Sequence, residues 1–346
     1  MYSIVLDVHQ RSAALCIIGP TGWVVKRESI KGHPRQVVDR LRQFDYPFRV
    51  CYEATCSYGW LYDQLRPIAD RVVVAHPGHL RLIFRSQHKH DRADAEKLAK
   101  LLYLDEVPAV HVPSVDTRAW RGLIEHRHRC VAARTRAKNA LRALLRTHGV
   151  EVPKGMGLWT AVGMTWLESI EFPDEVTALR RDQFIDDVRH HTRKIKRVEK
   201  ALTTTADRLP GIALLRTIPG VGIRTAEAFL AYIDDPSRFG RNKSIGRYLG
   251  LVPRQDASGG VNQMGRITKE GPSTVRKVLA EAAWQGIRRS PTIRAYYERM
   301  KHERDDRNKK ALIAMAHYMA RVMLAMLQTG EAWREQEQPM PAGQAA

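Results

Sequence analysis

Hydrophobic residues recur in two different periods along the chain, and the change of period divides it. In the first third, short apolar runs bounded by turn residues predict strands near 2–8, 13–19 and 23–29, with Gly19-Pro-Thr-Gly22 turning the second into the third. A helix follows near 34–44, with Val37, Val38 and Leu41 on one face. Then come a strand at 48–53, a helix at 58–68, a strand at 71–75 and a helix from 92 to about 104. Three opening strands joined by short turns predict an antiparallel meander. The alternation of helix and strand after it predicts an α/β domain over 1–112.

From residue 116 the period becomes helical and stays so. The stretch 116–148 carries the stripe Trp120, Leu123, Ile124, Val131, Leu141, Leu144 and Leu145. A Gly- and Pro-containing connection, 149–173, leads to a second long helical run at 174–208. Two long amphipathic helices joined this way predict an antiparallel, coiled-coil-like arm over 113–210, packed on itself or on another subunit. From 211 to 330 a mainly helical unit is expected, with helices near 223–233, 241–249, 272–289, 292–302 and 308–328. The segment 331–346, rich in Glu, Gln, Pro and Ala, is expected to be disordered.

Composition sharpens this picture. At 346 residues the chain is long enough for several cores, and its 44% hydrophobic and 27% charged content describes a soluble globular protein. Charges interrupt every candidate membrane span, and the first residues lack the basic-then-apolar layout of a signal peptide. Cys16, Cys51, Cys56 and Cys130 show no paired CxxC spacing, which suggests neither a zinc site nor a disulfide framework and places the chain in a reducing cytoplasm. Lys and Arg number 57 against 37 Asp and Glu, a formal net charge of +20. Such an excess favours polyanions through counterion release. It is also concentrated: nine Lys/Arg and a single acid, Glu125, lie between Thr117 and His148. The second helical run adds Arg189, Arg193, Lys194, Lys196, Arg197 and Lys200. Any one of these charges is explained by a solvated helix face; together they point to a nucleic-acid backbone.

The acids then become informative. Asp7 stands inside the apolar strand Tyr2-Ser-Ile-Val-Leu-Asp7-Val, either facing solvent by alternation or buried with a partner. Glu53 closes Phe48-Arg-Val-Cys-Tyr-Glu53, and Asp91-Arg-Ala-Asp94 opens a helical stretch. Asp91 and Asp94 are equally accounted for by helix capping and the helix dipole. Yet four acids ordered strand one, strand four, late helix can converge to hold Mg²⁺ for phosphodiester chemistry. The element order is that of ribonuclease-H-like domains.

Two further motifs lie in the last third. Leu215-Arg-Thr-Ile-Pro219-Gly220-Val-Gly222-Ile resembles a helix-hairpin-helix turn, whose backbone N–H groups grip a phosphate without reading sequence. A plain glycine turn between helices is the alternative. Gly250-Leu-Val-Pro253-Arg254 runs through Ser258-Gly-Gly260 to Gly265-Arg266-Ile-Thr-Lys269-Glu-Gly271, and reads as a loop with basic residues around a serine. A Ser-Gly-Gly segment is usually only a turn, and no His–Asp relay nearby marks Ser258 as a nucleophile. The residues alone leave its role open.

Over residues 2 to 327 the ordered motifs resemble the DEDD transposases of bacterial insertion sequences, also described as bridge-RNA-guided recombinases. The resemblance rests on Ile4-Val-Leu-Asp7-Val, Cys51-Tyr-Glu53-Ala-Thr-Cys-Ser-Tyr58, His90-Asp91-Arg-Ala-Asp94-Ala and Ile218-Pro-Gly-Val-Gly222. It extends to Gly250-Leu-Val-Pro253, Ser258-Gly259, Gly265-Arg-Ile-Thr-Lys-Glu-Gly271 and Arg276. Leu6 and Cys56 depart from residues common in the family, and neither touches the acids. The resemblance implies a RuvC-like catalytic domain with Asp7, Glu53, Asp91 and Asp94 as Mg²⁺ ligands, Mn²⁺ substituting. It implies a C-terminal transposase domain in which Ser258 forms a phosphoserine linkage to DNA. It also implies an element-encoded non-coding RNA that pairs with donor and target DNA, and a tetramer built from dimers. The residues expected to contact nucleic acid are Gly220, Gly222, Arg254, Arg266, Lys269 and Arg276, with Arg134, Lys138, Arg193, Lys194 and Arg197 on the arm.

Three functions compete. A recombinase moving its own element uses the tetrad and Ser258 together. A Mg²⁺-dependent junction-resolving nuclease uses the tetrad without a covalent serine step. A non-enzymatic nucleic-acid-binding protein would carry its acids only as caps and solvated groups. The first accounts for the C-terminal motifs that the others leave idle.

Overall fold

The structure is a computed structural model. It describes the backbone of residues 1–83, 91–258 and 261–335, and the side chains there except at 81–83, 91–94, 256–258 and 261–262. The chain divides into two compact units, Met1–Arg118 and Ala119–Ala346.

The first unit is built on a five-stranded sheet. Strands β1 (Tyr2–Val8), β2 (Ser12–Ile18) and β3 (Val24–Lys31) form the predicted antiparallel meander. Helix α1 (Arg35–Arg42) leads to β4 (Phe48–Glu53), α2 (Tyr58–Leu65) leads to β5 (Arg71–Ala75), and α3 (Pro77–Ile83) and α4 (Asp91–Tyr103) complete the unit. The strand order is β3-β2-β1-β4-β5, with β4 parallel to both β1 and β5. Strands β1, β4 and β5 read as continuous apolar runs because both faces of the sheet are covered. On one face Ile4, Leu6, Val50, Tyr52 and Val74 pack with Val37, Val38 and Leu41 of α1 and Leu61 and Leu65 of α2. On the other, Val5, Cys51, Val73 and Ala75 pack with Leu80 of α3 and Ala95, Leu98, Ala99 and Leu102 of α4. Alternation along each strand therefore assigns every strand residue to a helix layer, which becomes useful for the acids.

The second unit is helical except for one hairpin. Helices α5 (Val115–Thr147) and α7 (Glu175–Ala206) form the predicted antiparallel arm: Arg127 pairs with Glu199 at 2.6 Å, and Arg134 Nη1 reaches Thr192 Oγ1 at 3.5 Å, so contacts descend on one helix as they ascend on the other. At its far end Leu141, Leu144, Leu145 and Ile185 pack with Leu158 and with Leu167 of α6 (Ala161–Ser169), a helix inside the segment expected as a connection. Thr160 caps α6 through Gly163 N–H at 3.2 Å.

At its base the arm enters the core formed by α8 (Pro210–Leu215), α9 (Ile223–Ile233), α10 (Ser244–Tyr248), the hairpin β6 (Pro253–Ser258) and β7 (Val261–Ile267), α11 (Ser273–Arg289), α12 (Pro291–Lys301) and α13 (Asn308–Thr329). Trp120, Ile124, Val198 and Leu202 share one cluster with Phe229, Val275, Met315, Met319 and Met323. Helix α13 corrects one expectation, since a stretch ending at Thr329 is long and apolar enough to cross a membrane. Its apolar residues Met315, Ala316, Met319, Ala320, Met323 and Leu324 are instead the buried centre of this unit. Strands Pro253–Ser258 and Val261–Ile267 likewise pair as a hairpin in place of the expected loop, because the mostly polar sequence of both strands hides the strand period.

The segment expected as a tail begins with order: Trp333 packs against the core, its backbone N–H donates to Thr217 Oγ1 at 3.0 Å, and Glu335 accepts from Ser290 Oγ at 2.9 Å. Residues 336–346 lie outside the described residues.

A polar knot ties α7 to α9. Arg224 donates to both oxygens of Glu227 at 2.7 and 2.8 Å, and to Thr203 Oγ1 at 2.9 Å. Glu227 is 1% exposed, and burial pushes its carboxyl above the ordinary range while Arg224 opposes the shift. A raised carboxyl favours the folded state while protonated, and that advantage is lost as pH rises through the unfolded value toward the folded one. The stability of the wild type relative to Glu227→Gln is therefore expected to fall as pH rises above the ordinary carboxylate value of 4.5 in urea denaturation, and a flat difference would contradict it.

Candidate functional site

The backbone ladder brings two of the predicted acids together. Strands β1 and β4 pair in parallel from Tyr2↔Phe48 through Leu6↔Tyr52. The next step in that register sets Asp7 beside Glu53, at a strand spacing of about 4.8 Å. Asp7 has the parity of Val5, and Glu53 that of Cys51, so both belong to the face covered by α4. Asp7 is partly exposed, and His9 Nε2 lies 3.5 Å from its Oδ2. Both acids stand at the carboxyl ends of parallel strands, the end at which open α/β sheets present ligand sites.

Helix α4 arrives at the same end. Arg49, at the start of β4, donates to Ser3 Oγ at 2.9 Å and to Tyr103 O at 2.9 Å, which ties the C-terminus of α4 to the strand beginnings. Farther along, Glu96 pairs with Arg27 at 2.5 Å, and Arg27 is level with Cys16 and Val5 across the sheet. Ala95 lines a cavity of about 300 Å³ together with Ala14 and Ser29, and Ala14 is the strand partner of Asp7. The helix thus runs antiparallel to β1 and β4, and its first turn, Asp91 to Asp94, reaches the level of Asp7 and Glu53. The side chains of Asp91 and Asp94 lie outside the described residues, and among the described ones no cluster of three metal-holding side chains occurs. Two carboxylates on neighbouring strands are hard oxygen donors of the kind Mg²⁺ takes, so the donor set fits a divalent cation.

Sequence reasoning passed over the histidines at this end. His76 follows β5 directly and stacks on His79 with centroids 4.3 Å apart, while the His79 N–H donates to His76 Nδ1 at 3.3 Å. The signal was the histidine placed immediately after a buried strand.

In the second unit Ser258 ends β6 and is paired with Val261, so only Gly259 and Gly260, outside the described residues, separate the two strands. The serine stands at the turn of a hairpin whose described residues Arg254, Gln255, Gln263, Met264 and Arg266 are exposed. Its own side chain lies outside the described residues. At the hairpin base two glycines with positive φ cross at contact distance: a Cβ on Gly250 would meet Glu270 O at 2.1 Å, and one on Gly271 would meet Tyr248 O at 2.1 Å. Arg276 binds this crossing together, donating to the carbonyls of Leu249, Glu270 and Gly271 at 3.1, 2.7 and 3.0 Å. Its guanidinium serves the fold, with burial lowering its pKa. Lys269, exposed and at φ 58°, extends from the same crossing.

The remaining predicted contact residues divide by environment. Lys138 sits over the Trp159 ring at 4.7 Å, and burial followed by Arg134 and Arg142 lowers its pKa. Arg193, Lys194 and Arg197 are exposed on α7. Gly220 has φ 94°, and a Cβ there would meet Ala282 O and Gly286 N, both at 2.5 Å. Gly222, at φ −86°, begins α9 with open space around it and no side-chain cap. The first glycine is a packing requirement, and the second leaves the start of α9 accessible. Gly220→Ala is expected to cost about 2 kcal/mol or more of unfolding free energy. Gly222→Ala should stay within about 1 kcal/mol. Equal costs in urea denaturation would contradict this division.

The same two regions are matched by family models. One, described as a transposase of the DEDD type found in IS110 elements, matches residues 4–149; the other, described as the transposase IS116/IS110/IS902 family, matches residues 212–298. The chain is 29% identical over 268 residues to the putative transposase y4qE of Sinorhizobium fredii, covering 76% of this chain and 64% of that one, less than two thirds of its length. It is 27% identical over 317 residues to a probable family 20 transposase of Pseudomonas aeruginosa, covering 90% of this chain and 92% of the relative. It is also 27% identical over 272 residues to the transposase for insertion sequence element IS1111A of Coxiella burnetii, covering 75% and 71%. With both models falling on the two regions that carry the motifs, the chain belongs to the IS110 family of DEDD transposases, enzymes that cleave and rejoin DNA.

Proposed function

We propose that this chain excises and inserts its own insertion-sequence element, using a carboxylate-held divalent cation and a serine nucleophile. The observation that carries the first part is the register of β1 against β4, which sets Asp7 beside Glu53 at the strand end reached by the first turn of α4. Asp7, Glu53, Asp91 and Asp94 would hold the cation, Mg²⁺ with Mn²⁺ as a substitute. Bound there, it would stabilise the charge that develops on attacking and leaving oxygens. The serine part rests on the placement of Ser258 at the turn of an exposed hairpin with Arg254 and Arg266 on its strands.

In the covalent step the Ser258 Oγ–P bond forms as the P–O3′ bond of the DNA strand breaks. The hydroxyl proton leaves Oγ and the departing O3′ takes up a proton, so a free 3′-hydroxyl and a phosphoserine result. Attack by a 3′-hydroxyl of the recombining strand then reverses the exchange, restoring a phosphodiester and the serine hydroxyl. No high-energy cofactor is needed, because one phosphodiester bond replaces another at each step.

Recognition in this reading is delegated to an element-encoded RNA that pairs with donor and target DNA, while the protein holds backbones. Arg193, Lys194 and Arg197 offer an exposed basic face on α7 for that RNA, with Arg134 and Lys138 on α5. The open start of α9 at Gly222 and the exposed Arg254, Arg266 and Lys269 offer contacts to DNA phosphates. Arg276 and Gly220 act by holding those elements in place. Dimers formed through the arm and paired into tetramers complete the assembly.

An in-cell recombination assay with a plasmid-borne element and its flanking non-coding DNA tests the reading. Ser258→Ala and Asp94→Ala are each expected to reduce product by roughly a thousandfold or more, the scale on which loss of a reacting group acts. Product surviving in Ser258→Ala but not in Asp94→Ala would replace the covalent mechanism with that of a plain metal-dependent nuclease.

A further inference from the structure

Helix α13 carries two buried nitrogens that the core does not explain. Arg321 Nε and His317 Nε2 are both shielded from solvent and without a hydrogen-bond partner. They stand four residues apart, one turn on the same face of the helix. A buried donor without an acceptor is costly, and each such group asks for a reason. Burial, and then Arg321, lowers the pKa of His317, and no carboxylate contributes to that shift.

What this face packs against is defined on both sides. Gln328, seven residues after Arg321, donates to Pro236 O at 3.0 Å and Phe239 O at 3.2 Å. His317 lies against α10, where a Cβ on Gly246 would meet its Nε2 at 2.2 Å. Arg321 therefore faces the segment between Phe239 and Gly246. That segment exposes Arg241 and Lys243, and Arg247 follows it, also exposed; none of the three is in an ion pair with any described residue. Gly240 has open space about it. Arg238, by contrast, is committed to the carbonyls of Ile233 and Tyr232 and to the rings of Phe239 and Tyr248. Exposed cations beside buried donors, none of them in an ion pair with a described acid, mark a place suited to an anion.

We propose that the face between α10 and α13 is a second backbone-phosphate site, in which the Arg321 guanidinium, backed by His317 packed on Gly246, binds a phosphodiester drawn in by Arg241, Lys243 and Arg247. The site lies at the C-terminal end of α9, whereas the accessible turn at Gly222 lies at its N-terminal end. Eleven helical residues place the two about 16 Å apart, a distance that a nucleic-acid backbone spans in a few nucleotides. Bound phosphate would satisfy the guanidinium in the bidentate manner that suits arginine and would displace no existing ion pair. This inference rests on the nucleic-acid reading above, and it adds residues that the motifs of the sequence did not single out.

The test is an anisotropy titration of the full-length chain with a short random-sequence DNA duplex and with a hairpin RNA, across a range of salt concentrations. Arg321→Gln is expected to weaken binding about tenfold, to reduce the slope of log affinity against log salt by about one, and to leave the unfolding temperature unchanged or raised. Arg247→Gln, at an exposed position, should reduce the slope in the same sense without touching the core. Loss on the duplex alone assigns the phosphate to DNA, loss on the hairpin alone to RNA, and loss on both to their shared backbone; each supports the site. Unchanged affinity and slope in both variants, with the wild type binding normally, would overturn the site and leave the nucleic-acid reading intact. A wild-type chain that binds neither probe would overturn both.

Discussion

The parallel pairing of β1 with β4 is the constraint on which the functional account depends. A slip of one residue would turn Asp7 or Glu53 to the α1–α2 face and separate them by a layer of sheet. The register is held because both faces are buried: Ile4 and Leu6 must meet one helix layer while Val5 must meet the other. Packing of ordinary aliphatic residues thereby fixes the relative position of two charged ones. The helix that covers the acid face is tied at its far end through Arg49 and midway through Arg27 and Glu96, so its first turn is delivered to the strand ends.

A similar logic operates in the second unit, where backbone proximity takes the place of strand register. The crossing of Gly250 and Gly271, bound by Arg276, anchors the strands that end at Ser258. Gly220 lets the turn before α9 settle on α11, and Gly222 keeps the following helix start open. Residues that look like contacts for phosphate by charge or motif thus divide into those that build the scaffold and those that remain exposed on it. Arg276 and Gly220 belong to the first group, Arg193, Lys194 and Arg197 to the second.

Much of the first unit was legible in the sequence, because strands buried on both faces leave continuous apolar runs and the meander turns carry Gly and Pro. Asp7 and Glu53 were legible for the same reason, as carboxylates where apolar residues were expected. The hairpin of β6 and β7 was not, since the sequence of both strands is mostly polar and its glycines read as a loop. Helix α6 was hidden inside a Gly- and Pro-containing stretch, and the anchoring of Trp333 and Glu335 depends on partners, Thr217 and Ser290, distant in sequence. Arg321 was silent too: only the fold shows that its Nε is buried without an acceptor. Propensity and period report local burial; they do not report which side chain a neighbouring element leaves unsatisfied.

The proposed chemistry requires that the strand-end carboxylates hold a divalent cation. The most direct measurement is Mn²⁺ binding to the full-length chain by electron paramagnetic resonance, comparing wild type with Asp7→Asn and Glu53→Gln. Binding by the wild type, abolished or greatly weakened in both variants with their circular dichroism and unfolding transitions preserved, is the predicted result. Equal binding by all three folded proteins would show that these carboxylates are not the metal ligands, and would contradict the mechanism built on them.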